Sequence, residues 1–153
     1  MIALLQRVTQ AQVSVGETVV GAVDAGVLAF IGVERPDSGG DAQRLAQRIL
    51  HYRLFEDAHG RMNLSVLESG GGVLLVPQFT LAADTGKGNR ASFARAAPPE
   101  QAQALFARLA QAVRQGCPCV QEGRFGAHMR VQLVNDGPVT FWLSSRRAGP
   151  RQG

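Results

Sequence analysis

The sequence predicts an α+β fold: a curved antiparallel β-sheet, barrel-like in outline, covered by two main helices. Three observations carry that expectation. Apolar runs of four to ten residues, enriched in Val, Ile, Phe and Thr, recur at both ends of the chain. Two stretches of helical periodicity interrupt them without the strict strand–helix alternation of a βαβ fold. The 18 Gly and 7 Pro among 153 residues supply turns between the runs. A chain of this length makes one domain and buries about two thirds of its unfolded surface.

In chain order, "IALLQRV" at 2–8, "AQVSV" at 11–15, "TVVGAV" at 18–23 and "VLAFIGV" at 27–33 read as antiparallel strands. Turns at Gly16-Glu17 and Asp24-Ala25-Gly26 separate the later ones. Asp41 then stands where it can cap a helix whose apolar stripe is Leu45, Ile49 and Leu50, with Arg44 and Arg48 on the other side. A further apolar run, "GVLLVPQFTL" at 72–81, leads into "AADTGKGNRASF", which reads as an exposed, irregular loop. In "APPEQAQALFARLAQAVRQG" the prolines suit a first turn, Glu100 complements the dipole and Gly116 can end the helix. Its stripe is Leu105, Phe106, Leu109 and Val113. "MRVQLV" and "PVTFWLS" return the chain to strands. No repeat or low-complexity tract occurs.

Composition narrows the class. No apolar run approaches the roughly 20 residues that cross a bilayer, and the start of the chain lacks the pattern of a signal peptide, so a cytoplasmic address is expected. Cys117 and Cys119 flank Pro118 with no second cysteine pair, which reads as free thiols and neither a staple nor a zinc site. The balance of 16 Lys+Arg against 12 Asp+Glu is carried almost wholly by arginine, which suits an anionic partner such as RNA. Residues 1–145 are expected to form the domain, and 146–153, with Arg146, Arg147 and Arg151, a basic and flexible tail.

Familiar catalytic machinery is missing. His51, His59 and His128 lie in no nucleophile or metal motif, and there is no Ser elbow, P-loop or dinucleotide fingerprint. Polar residues inside apolar runs are more informative. Pro77 removes a donor from a strand-like run, and Gln78 and Thr80 follow it on one face. Either this is an edge strand with Gln and Thr facing water, or bent backbone at Gln78 and Phe79 offers amides to an oxyanion, with the Thr80 hydroxyl nearby. In "GRFGAHM", Phe125 and Met129 are core residues or hold a flat base. In "LVNDGPVTFWL", Gly137-Pro138 is an ordinary turn or backbone presented to a partner or substrate.

Together, "MIALLQRV", "YRLFEDAHGRMNLSV", "QFTLAADTGKGNRASF", "GRFGAHM" and "VNDGPVTFWL" resemble, in order and over nearly the whole chain to Leu143, the D-aminoacyl-tRNA deacylase family. The resemblance implies a homodimer that hydrolyses the ester between a D-amino acid and the 3′-terminal adenosine of tRNA. It implies no metal or cofactor, and neither a DNA nor a membrane partner. Gly137-Pro138, joined by a cis bond, would enter the partner's active site as a wall that rejects L side chains, and Arg7 would orient that loop. Backbone amides of Gln78 and Phe79 would stabilise the oxyanion, Thr80 would position the substrate, and Phe125 and Met129 would bind the adenosine. The ribose 2′-hydroxyl would help to activate water. Glycine, lacking a side chain to reject, would also be cleaved from tRNA. The family usually has serine where this chain has Pro77, and a related deacylase that removes L-alanine from threonine tRNA has proline there. L-alanyl-tRNA proofreading is therefore an alternative reading; a non-catalytic RNA-binding domain is another.

Overall fold

The longest pairing in the protein runs between the two ends of the chain. β1 (Ile2–Val15) lies antiparallel to β8 (Arg130–Ser144), with partners from Ile2 and Ser144 to Ser14 and Arg130. The computed structural model describes residues 1–146; the remainder of the expected tail, including Arg147 and Arg151, lies outside the described residues. Arg146 itself is ion-paired with Asp37 at 2.7 Å.

β1 also pairs antiparallel with β2 (Thr18–Val23) through its second half and with β3 (Gly26–Gly32) through its first half. The runs expected as two strands at 2–8 and 11–15 are thus one bent strand, as are the two expected at the end of the chain. Next come α1 (Gly39–His51), a small hairpin of β4 (Phe55–Glu56) and β5 (Met62–Leu64), the short helix α2 (Val66–Ser69), and β6 (Gly72–Pro77). A 3-10 turn (Phe79–Ala82), α3 (Pro99–Gly116) and β7 (Val120–Glu122) lead to β8.

The sheet order is β2-β1-β3-β6-β7, with β8 beside β1, and it is mixed. β3–β6 and β6–β7 are parallel pairs, which corrects the expectation of an antiparallel sheet. The physical reason is the length of the intervening chain: crossovers carrying α1 and α3 return each strand to the same direction. A strand covered on both faces reads as a continuous apolar run. Val73 to Val76 of β6 are accordingly all buried. At the far edges the sheet nearly closes, because a Cβ at Gly21 of β2 would stand 2.7 Å from the Glu122 carbonyl oxygen of β7.

Alternation along the strands divides the core. Val27, Ala29, Ile31, Val73 and Leu75 face Leu45, Ile49, Phe106, Leu109 and Val113 of the two helices. Leu28, Leu74 and Val76 point to the other side, with Val8, Val13 and Val23. α1 begins three residues earlier than Asp41 would allow as a cap: Ser38 is the N-cap, and Asp41 is the third helical residue of a capping box, its carboxylate accepting from the Ser38 amide at 2.9 Å. α3 ends at Gly116 as expected. A Cβ there would lie 2.6 Å from Leu50 Cδ1, so glycine serves the close approach of the helices. Leu105 is only half-buried; Phe106, Leu109 and Val113 form the core stripe. Among the described residues no helix is long and apolar enough to cross a membrane.

Candidate active site

β6 ends at a change of backbone direction. It lies between β3 and β7, so the edge-strand reading of Pro77 does not hold; Pro77 is its last residue, opposite Ile31. The Gln78 amide donates to the Ile31 carbonyl at 2.8 Å, which extends the ladder by one residue. That amide is therefore spent. The 3-10 turn then starts, and its first hydrogen bonds run from Leu81 to the Gln78 carbonyl and from Ala83 to that of Thr80. The first amides of any helical turn have no partner within it. Those of Phe79 and Thr80 have no protein acceptor among the described residues. The Gln78 side-chain amide donates to the Thr80 hydroxyl oxygen.

A cavity of about 780 Å³ opens beside this turn. Gln78 and Phe79 share its lining with Phe125 and Met129, and Ile31 and Val76 contribute apolar wall from the sheet. Phe79, 59% exposed, leans on Phe93 of the following loop with ring centroids 5.1 Å apart. Met129 is fixed through its sulfur, which accepts from the Arg124 amide at 3.3 Å and sits where a Cβ on Gly123 would come within 2.8 Å. The size and apolar character suit a flat ring with a small polar appendage. Thr80 is exposed and lies off the cavity wall.

Gly137, Pro138 and Arg7 are not on the cavity of their own chain. Val8 pairs with Asn135 and Gln6 with Thr140, so residues 136–139 arch out opposite Arg7 alone. Two polar side chains hold the arch. Arg7, 8% exposed, donates through Nε to the Asp136 carbonyl at 3.1 Å and through a terminal nitrogen to the Leu54 carbonyl at 2.8 Å. Asn135 donates to the carbonyls of Arg7 and Val139, both at 3.0 Å, closing the base. The Gly137–Pro138 bond is cis, and Gly137 has a φ of 139°, where side chains are rarely found. A Cβ there would lie 2.6 Å from Val139 Cγ2. Both Gly137 and Pro138 are exposed.

The sheet face beside the arch is apolar and uncovered. Trp142 on it is 60% exposed. Register places Trp142 beside Leu4, Leu4 beside Phe30 and Phe30 beside Val76, with Leu4 and Phe30 half-buried. Since Val76 lines the cavity, this row runs from the strand that bears the arch to the cavity wall.

Reading the sequence alone missed three residues. Phe93 was assigned to an exposed loop, yet it braces Phe79, and only its aromatic type hinted at that. Asn135 was read as part of a turn signal. Arg35 lies on the cavity wall with no local motif to mark it. The short helix α2 was legible in principle, since Ser65 and Glu68 have the spacing of the capping box they form.

The family model described as D-Tyr-tRNA(Tyr) deacylase matches residues 4–144. A D-aminoacyl-tRNA deacylase of Alkalilimnicola ehrlichii is 59% identical over 146 residues, 95% of this chain and 97% of that one. One of Thioalkalivibrio sulfidiphilus is 61% identical over 143 residues, covering 94% and 96%. A solved structure named c-Myc DNA Unwinding Element Binding Protein superposes with a TM-score of 0.91 at 35% identity, over 96% of this chain and 100% of that one.

Proposed function

The chain belongs to the D-aminoacyl-tRNA deacylase family, and from that premise we propose how its own residues carry the reaction. It is a hydrolase of the D-aminoacyl-tRNA ester, with the proofreading role the family implies. The name of the solved relative refers to DNA, whereas the family model and the relatives at 59% and 61% identity refer to tRNA, and the latter guide our reading.

The 3′-terminal adenosine occupies the cavity with its base against Phe125 and Met129. The aminoacyl carbonyl lies over the start of the 3-10 turn. Water adds to that carbonyl carbon, the negative charge develops on the carbonyl oxygen, and the bond to the ribose oxygen breaks as that oxygen takes up a proton. The products are a free D-amino acid and tRNA. An aminoacyl ester is already activated, so orientation and charge stabilisation supply most of what is needed. The observation that carries this reading is the pair of unspent amides of Phe79 and Thr80 at the edge of the cavity. The role first assigned to the Gln78 amide thus passes to that of Thr80. The Gln78 side chain instead holds the Thr80 hydroxyl, and Thr80 positions the substrate without attacking it.

Selectivity comes from a second copy of the chain. The exposed Trp142 and the row leading from it to Val76 support a homodimer through this sheet face, in which the Gly137-Pro138 arch of one subunit enters the cavity of the other. Backbone pinned by Arg7 stands beside the α-carbon, so an L side chain strikes it and a D side chain points away. Pro77 ends a buried strand and presents no side-chain hydroxyl, so it leaves the wall as the source of discrimination.

Deacylation of matched D-tyrosyl-, L-tyrosyl-, L-alanyl- and glycyl-tRNA across enzyme concentrations tests the reading. The expected outcome is cleavage of the D and glycyl esters with both L esters intact. L-alanyl cleavage as fast as D-tyrosyl cleavage would transfer the specificity to the L-alanyl reading. No cleavage at all would leave only RNA binding.

A further inference from the structure

We propose that Arg35 is the anchor for a phosphate on the nucleotide held in the cavity. The proposal rests on the adenosine reading above and adds a subsite to it. Among the described residues lining the cavity, Arg35 is the only one with a fixed charge; His128 is the only other titratable one, and none carries a carboxylate. A largely apolar cavity with one cation on its wall favours a ligand that is flat and apolar over most of its surface and carries one anionic group.

Arg35 is also held in place before any ligand arrives. Its amide donates to the Arg95 carbonyl at 3.0 Å, its Nε to the Ala94 carbonyl at 2.7 Å, and its own carbonyl accepts from the Gln101 side chain at 2.9 Å. These bonds fix the backbone at Arg35 and one edge of its guanidinium. Its two terminal nitrogens make no hydrogen bond or ion pair among the described residues, and the residue is exposed. A guanidinium so placed offers paired donors to phosphate oxygens at little further cost in side-chain entropy. The 3′-terminal adenosine of a tRNA is joined to the rest of the strand through its 5′-phosphate, so the ligand already proposed carries such a group.

The test compares binding of adenosine and adenosine 5′-monophosphate to the full chain by calorimetry, in wild type and in Arg35→Gln. The ratio of the two affinities is the readout, because a purely structural role for Arg35 would weaken both ligands together. The expected result is a monophosphate preference of roughly fivefold to tenfold in wild type that falls close to parity in Arg35→Gln, with Arg35→Lys between them. A preference that survives in Arg35→Gln would overturn the proposal, as would equal affinities in wild type. If neither ligand binds wild type, the adenosine reading itself fails and the subsite falls with it.

Discussion

The cavity and the arch at residues 136–139 are held by different forces. At the cavity, Phe79 rests on Phe93, and Ile31, Val76, Phe125 and Met129 close around the space, so its shape is the sum of many small contacts. At the arch, Arg7 and Asn135 hold the main chain through the Asp136 and Val139 carbonyls, and two further bonds, to the Leu54 and Arg7 carbonyls, anchor those two side chains. Packing degrades gradually when a side chain is trimmed. A pinned backbone loses its position when one pin is drawn, because the carbonyls left behind are unpaired. On the proposed reading, binding rests on material that tolerates small changes, and discrimination on material that does not.

The strongest way to break this contrast is Arg7→Ala. It strands the Leu54 and Asp136 carbonyls, with an expected stability loss of about 2–4 kcal/mol in denaturant melts. The ratio of D- to L-tyrosyl-tRNA cleavage is expected to fall by roughly tenfold or more in the surviving folded enzyme. A preserved ratio would show that the arch keeps its position without its pin. Next in size, Phe125→Ala is expected to raise KM about tenfold, the worth of one base–aromatic stack, with kcat and the D/L ratio nearly unchanged. A changed ratio would erase the division of labour between packing and pins.

The smallest effect concerns the other end of β8, which is also pinned, but through a group that titrates. Burial of Asp41 raises its pKa, but hydrogen bonds from the Ser38 backbone, the Ser145 and Ser38 hydroxyls and Arg44 outweigh this and hold it well below the ordinary carboxylate range. A carboxyl depressed by folding contributes stability that is present above its unfolded pKa, near 3.8, and lost as pH falls below it. Thermal melts from pH 6 to pH 2 are expected to show that loss. Asp41→Asn should cost about 1–2 kcal/mol at neutral pH and flatten the acid limb.

The sequence showed some of this and hid the rest for physical reasons. Helical stripes such as Leu45, Ile49 and Leu50 are local and periodic, and they stood out. Strand direction is not local: Val73 to Val76 read equally well as buried parallel or antiparallel strand, and only the crossovers decide. At Gln78 and Phe79 the sequence leaves an edge strand and a bent backbone equally open, and which amide is spent depends on Ile31, 47 residues earlier than Gln78 in the chain. Arg7 and Asp136 meet across a separation of 129 residues, and no pattern within either segment announces it. Arg35 was invisible for the same reason: an exposed arginine acquires its place from the loop that returns beside it.

Trp142 is the one tryptophan of the chain, and it stands 60% exposed on the sheet face that leads to the cavity. Its indole emission therefore distinguishes a wet face from a covered one, red in the first case and blue in the second. Dilution followed by fluorescence alone reads out whether two subunits have come together, with no label attached and no substrate consumed.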